Sequence, residues 1–256
     1  MGVEIQRASM WKRISAWLFD GIILVSMIVL VAYALSGILG YDRYSKQLDD
    51  AYERYETQYN VDLRQKEAPE DATAEEKAAY KERYALADEA IKQDKDANYA
   101  LGMIFSFYLL IPTIGVLIAM LIMEFAIPMM FGNGQTLGKK IFSLGVVRVD
   151  AVKLTTLQLF VRTVLSKYTV GTMIPVALIA MALLGVTGSI SMLLALGFFL
   201  VQLLCPLFNY YHRGIHDLLS GTVVVDLPRQ RVFSDANERI EYIKKQHAQR
   251  AERQTY

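Results

Sequence analysis

The chain pools its apolar residues into four long stretches, residues 14–39, 101–131, 170–187 and 189–208. About 20 apolar residues in a helix, rising 1.5 Å each, cross the hydrocarbon core of a bilayer. Lipid offers no partner to a backbone N–H or C=O, so such stretches must satisfy themselves as helices. Asp20 interrupts the first stretch and Glu124 the second. A lone charge at mid-bilayer costs about 2.5 kcal/mol or more, so residues of this kind face protein or water and often mark function. The sequence therefore reads as an integral membrane protein, and its polar intruders are where function should be sought.

Charge sets the orientation. Residues 41–100 hold 10 Lys/Arg against 16 Asp/Glu. Residues 132–169 hold Lys139, Lys140, Arg148, Lys153, Arg162 and Lys167 against Asp150 alone. The N-terminus adds Arg7, Lys12 and Arg13 against Glu4. Positive charge stays in the cytoplasm, which places the N-terminus, the 132–169 loop and the weakly basic tail inside and the acidic loop outside. Closing that path needs an even number of crossings, with the third and fourth stretches turning at 186–189. A single kinked helix plus a re-entrant half is the other reading of 170–208. The expected fold is an all-α membrane protein: a four-transmembrane-helix bundle with an external α-helical hairpin and a short cytoplasmic two-stranded β-ribbon. Its segments are 1–40 (N-terminus and first transmembrane helix), 41–100 (extracytoplasmic helical hairpin), 101–131 (second transmembrane helix), 132–169 (cytoplasmic loop with a β-strand and an interfacial helix), 170–208 (third and fourth transmembrane helices) and 209–256 (cytoplasmic strand and charged helical tail).

Local features fit this plan. Trp11, Trp17, Tyr168, Tyr210 and Tyr211 fall at inner ends, and Tyr41, Tyr44 and Tyr99 at outer ends, as an aromatic belt requires. Pro112 lies deep enough in the second stretch to kink it and free a carbonyl. Ala32-Tyr33-Ala34 mimics a signal-peptidase site. The apolar run continues to Leu39, however, so it is read as an uncleaved anchor. Cys205 is the only cysteine, which excludes an intramolecular disulfide.

Between the first two stretches, Tyr41, Tyr44, Leu48, Tyr52, Tyr55, Tyr59 and Leu63 recur at helical steps. Thr73 and Glu76 form a capping-box pattern, and Tyr80, Tyr84, Ala87 and Ile91 make a second stripe. These predict a helical hairpin closed on its tyrosine faces. On the inner side, 145–150 and 221–226 echo each other from Gly to Asp and predict two paired strands. Thr156 is expected to cap an interfacial helix over 157–167, with Leu157, Phe160, Val161, Val164 and Leu165 on its apolar face. Residues 234–256 form a charged helix with only a thin stripe at Ile240 and Ile243.

Arg13 and Asp20 are two helical turns apart and share a face. Asp20 and Glu124 reach similar depths in the inner leaflet, and Arg213 and Asp217 are four apart past the fourth stretch. Three patterns resemble the RDD family of bacterial membrane proteins. They are Arg13-Ile14-Ser15-Ala16-Trp17-Leu18-Phe19-Asp20; Gly134-Gln135-Thr136-Leu137-Gly138-Lys139 leading into 144–149; and Arg213-Gly214-Ile215-His216-Asp217 running to Thr222. The resemblance implies that Arg13, Asp20 and Asp217 are the signature residues. It implies a bacterial inner-membrane location, and for some members cation/proton exchange has been suggested.

Other motifs are weak. Gly134–Lys139 lacks the Walker spacing, so Lys139 and Lys140, with Arg162, are assigned to lipid phosphates. His212 and His216 are i, i+4 but have no third ligand nearby, so no metal site is expected, nor any cofactor, nucleic-acid partner or enzymatic activity. Two functions remain. In one, Asp20 and Glu124 carry protons or a monovalent cation in an exchanger or small-solute transporter, gated by Arg13, Arg213 and Asp217, with His216 hydrogen-bonding within that polar cluster. Its four helices per chain would call for a homo-oligomer. In the other, the Arg/Asp cluster is a structural clamp in a non-transporting assembly, sensor or partner-binding module.

Overall fold

The computed structural model describes residues 4–69, 72–172, 197, 200–201, 204–205, 208 and 213–254. Most of the expected third and fourth spans, their outer turn and His212 lie outside the described residues. The chain divides into two compact units, 30–115 and the remainder, and each is described by itself.

Two helices are long and apolar enough to cross a membrane. The first, α1, is Met10–Leu39; at 30 residues it spans about 45 Å. The second runs from Lys95 to Phe131 and is built from α4 (Lys95–Met120), a π-helical turn over Leu121–Ala126 and α5 (Ile127–Phe131). Pro112 lies inside α4, which continues to Met120. Regular α-helical geometry gives way to the π turn over Leu121–Ala126, just before Pro128. Pro128 has no N–H to give the Glu124 carbonyl one turn back, and Thr163 Oγ1 donates to that carbonyl instead, at 2.9 Å.

In the 30–115 unit, Gly40 and Asn60, both left-handed, bound α2 (Tyr41–Tyr59). Thr73 caps α3 (Ala74–Gln93) through the full capping box with Glu76 that the sequence predicts. The two helices pack as the expected hairpin, with Ala51, Ala87, Ile91 and Ala97 buried and Tyr52, Tyr55, Tyr59, Tyr80 and Tyr84 packed around them. The tyrosines also do polar work. Tyr80 Oη donates to the Gln65 carbonyl (3.0 Å) and accepts from Asp62 N (3.1 Å), which ties down the loop after α2. At the other end, Asp94 follows α3 and opens α4, accepting from Asp96 N (2.8 Å), Ala97 N (3.1 Å) and Tyr55 Oη (3.1 Å). Below them Gly115 faces Ala32 across α4 and α1, where a Cβ would lie 3.8 Å from the Ala32 Cβ. Small residues at such a point let two helices approach closely.

In the second unit, β1 (Leu144–Arg148) and β2 (Thr222–Asp226) form the expected ribbon. It is antiparallel, with Leu144 opposite Asp226 and Val146 opposite Val224, so the two echoing sequences meet head to tail. A two-stranded ribbon is marginal alone. This one is covered on both faces: Ala8, Ala16 and Leu154 pack on one cluster of its side chains, and Ile5, Leu227 and Val232 on the other. The N-terminal segment adds a bridge from Arg7 to Val225, and Lys12 pairs with Asp226 at 3.0 Å. Around the ribbon lie the short helices α6 (Leu137–Ile141), α7 (Thr156–Phe160) and α8 (Ile215–Leu219), a second π-helical segment over Val161–Gly171, and the tail helix α9 (Ala236–Gln254). Tyr242 of α9 packs on Phe233, with Arg231 over the Tyr242 ring at 4.1 Å.

One sequence expectation shifts here. The cap of the 157–167 helix is Thr155, in a capping box with Gln158, rather than Thr156. That helix does not stop at Lys167. It runs on through Gly171, into the start of the third apolar stretch.

Asp94 gives the hairpin a testable pH dependence. The Ala97 N–H above all, with Tyr55, Asp96 and Arg54, holds its carboxyl below the usual carboxylate range. Its folded pKa is thus lower than its unfolded pKa. The stability it contributes is complete above the unfolded value, near about 4, and is lost as pH falls through the folded value. Asp94→Ala should cost about 1 kcal/mol at pH 7, read as a lower thermal midpoint of helicity in detergent. The gap from wild type should narrow as pH falls towards 3; a pH-independent gap would refute the assignment.

Candidate functional site

Beside the apolar core of the ribbon, the helices of this unit turn several polar residues inward and large apolar ones outward. Trp11 and Trp17 of α1 are 78% and 71% exposed, while Asp20 on the same helix is buried. Three carboxylates anchor the buried polar groups.

Asp20 is held by the 134–139 loop. Gly134 takes a left-handed φ of 60° beneath Leu154 and Val146, where a Cβ would lie 2.8 Å from Leu154 Cδ1. Gln135 Nε2 donates to the Leu144 carbonyl at 2.7 Å, fixing the loop to β1. Thr136 caps α6 with its side chain accepting from Lys139 N, and its hydroxyl donates to Asp20 Oδ2. Gly138 N donates to Asp20 Oδ1 at 2.7 Å. Gly138 is required for that approach, since a Cβ would lie 2.5 Å from the Ala16 carbonyl oxygen and 2.9 Å from Asp20 Cγ. Gly138 thus lets a backbone N–H meet a carboxylate of this same chain. Asp20 is met by a hydroxyl and an amide, and Arg13, which shares its helix face, approaches Asp217.

Asp217 in α8 is fully buried. Arg162 lies 2.9 Å from Oδ1, and Thr222 Oγ1 donates to the same oxygen at 3.0 Å. Arg13 and His216 approach Oδ2 at 3.9 and 3.5 Å. Burial alone would raise the Asp217 pKa, but Arg162 chiefly, with Arg13, outweighs it and holds the carboxyl well below the usual range. Burial lowers the His216 imidazole despite Asp217 beside it, so His216 is neutral at pH 7. Arg213, four residues from Asp217, donates to the backbone carbonyls of Thr222 and Asp217, both at 2.9 Å. It closes α8 onto β2.

Glu124, in the first π turn, pairs with Lys167 at 2.5 Å. Lys139 feels the charges of Glu124, Lys167, Arg162 and Asp20. Its Nζ also donates to Thr136 Oγ1 at 3.2 Å. Burial lowers the Lys139 ammonium to about 8, against the pull of Glu124.

Two of the three lysine and arginine positions assigned to lipid phosphates therefore point inward. Arg162 is 4% exposed and bound to Asp217, and Lys139 reaches Thr136. Only Lys140 is exposed, with Nζ 3.7 Å from the centre of the Phe131 ring. Sequence reasoning missed Thr136, Gly138, Thr222 and the roles of Arg162 and Lys167. A signal for Arg162 was present: Arg162, Thr163, Ser166 and Thr169 form a polar stripe through an apolar helix, and such a stripe turns inward when the other face meets lipid.

Gly138→Ala tests the clamp on Asp20. The nearest atom is backbone, which cannot swing aside, so a loss of about 1–3 kcal/mol in stability is expected. A destabilisation of the same size should follow Asp20→Ala, and the double variant should lose less than the sum. Simple additivity in detergent unfolding would show that the two residues do not act through each other.

The model of the RDD family matches residues 7–221. No curated protein and no solved structure matches the chain. The match spans α1, the 134–139 loop, Arg162 and Asp217, the residues through which the buried carboxylates are held, and the chain belongs to the RDD family.

Proposed function

We propose that this is a four-span RDD protein of the bacterial inner membrane whose buried Arg/Asp cluster is a structural clamp in a non-transporting assembly, sensor or partner-binding module. The ribbon and both termini lie in the cytoplasm, and the α2–α3 hairpin is displayed on the other side to meet a partner. The chain acts by binding rather than by catalysis. The observation that carries this reading is that each inner carboxylate already holds its partners: Asp20 with Thr136 and Gly138, Asp217 with Arg162 and Thr222, Glu124 with Lys167. A carboxylate that takes up and releases a cation must leave room for it. These are engaged by donors from distant parts of the chain.

Exchange of a monovalent cation for a proton is the second reading, and one feature favours it. Lys139, lowered to about 8, feels the charge of Glu124, which sits in a π turn, a distortion often found at functional sites. In that reading the chain works as a homo-oligomer, which supplies more helices around the path.

Purified protein in vesicles with an internal pH dye separates the two. Under the clamp reading, Na⁺, K⁺ or Li⁺ added outside produces no pH change beyond that of empty vesicles, and Asp20→Asn lowers folded yield. A cation-driven pH change that disappears in a well-folded Asp20→Asn would overturn the clamp and establish exchange.

A further inference from the structure

The helix that begins at Thr156 has polarity opposite to that of a soluble surface helix. Leu157, Phe160 and Leu165 are 71%, 42% and 51% exposed, while Arg162, Thr163 and Ser166 are buried. Its position relative to the second membrane-length helix is fixed by three contacts. Phe160 packs edge-on against Phe125 with ring centroids 6.0 Å apart, Thr163 Oγ1 donates to the Glu124 carbonyl, and Lys167 pairs with Glu124. Phe125 is six residues short of the inner end of that helix at Phe131, which at 1.5 Å per residue is about 9 Å inside it.

We propose that the helix running from Thr156 through Gly171 is embedded in the inner leaflet, with Leu157, Phe160 and Leu165 covered by acyl chains. This rests on the membrane reading above and deepens it. The segment is then neither a cytoplasmic loop helix nor a surface-bound one. It enters the bilayer at its capped end and carries Arg162 and Lys167 below the headgroups to meet Asp217 and Glu124. Three features support acyl chains as the occupant. The exposed face is continuous with Phe125, in a helix apolar enough to cross a membrane. The segment's cations face the protein and not the open side. The Thr155–Gln158 capping box satisfies N–H groups at the helix start, which water would otherwise satisfy.

Nitroxide labels read depth directly. Single cysteines replacing Leu157 and Leu165, in a Cys205→Ala background, are labelled and reconstituted into phosphatidylethanolamine/phosphatidylglycerol vesicles. Ile22→Cys on α1 and Lys153→Cys beside β1 serve as references, both at exposed positions. Labels at 157 and 165 should favour collision with oxygen over a water-soluble nickel chelate, as Ile22 does and Lys153 does not, with 165 deeper than 157. The unaltered chain gives a second measurement: a diazirine in the acyl chain should crosslink within 157–165. If 157 and 165 behave as Lys153 does while Ile22 reports lipid, the inference falls and the membrane reading stands. If Ile22 also reports water, the membrane reading itself falls. Shielding of 157 and 165 from both reagents, with no crosslink, means a second protein surface covers them and likewise overturns the proposal.

Discussion

A charge removed from water must bring its partner with it, and among the described residues the Asp217–Arg162 pair is the most deeply buried instance, with Asp217 met by Arg162 and Thr222 while Arg162 Nε has no hydrogen-bond partner there. Desolvating each ion costs several kcal/mol, and only close geometry and further hydrogen bonds return it. Both are present: Asp217 is fully buried, Arg162 is 4% exposed, and Thr222 adds a hydroxyl to the shared oxygen. The consequence is positional. Asp217 stands just before β2, Arg162 on the helix after α7, and Arg13 at the start of α1. Three segments far apart in the chain are thereby brought to one point.

The same logic governs the neighbouring groups. Pro128 withholds an N–H from the Glu124 carbonyl, and Thr163 supplies a hydroxyl. Among the described residues no counterion lies at bonding distance from Asp20, and the start of α6 supplies an amide and a hydroxyl, with the absence of a side chain at Gly138 letting the backbone in. The Glu124 carbonyl and the Asp20 carboxylate are thus met from other segments, which links the membrane-length helices to the loop beside the buried ribbon. This coupling makes the cluster a candidate for a clamp.

Features set by local spacing were legible in the sequence. The α2–α3 hairpin followed from tyrosines at steps of three and four, its capping box from Thr73 and Glu76, and the ribbon from the Gly-to-Asp echo of 145–150 in 221–226. The two membrane-length helices followed from hydropathy alone. Features set by contact across the fold were not. Nothing in the spacing near Asp20 points to Thr136, 116 residues away, and a glycine's close approach leaves no periodic trace. Arg162 was misassigned because its charge was read against the helix's apolar face, not against the hydroxyl stripe it belongs to. Thr155 rather than Thr156 is the cap because the box needs its partner three residues on, and that is Gln158.

The central claim is that Arg162 and Asp217 stabilise the fold as a pair, and a double-mutant cycle measures it. With Arg162→Met, Asp217→Leu and the double variant unfolded in detergent, each single change should cost about 3–5 kcal/mol by leaving a buried charge alone. The double variant should recover at least about 1.4 kcal/mol of the summed loss, a factor of ten in the unfolding equilibrium constant. Losses that add to within about 0.5 kcal/mol would show two independent residues and contradict the account.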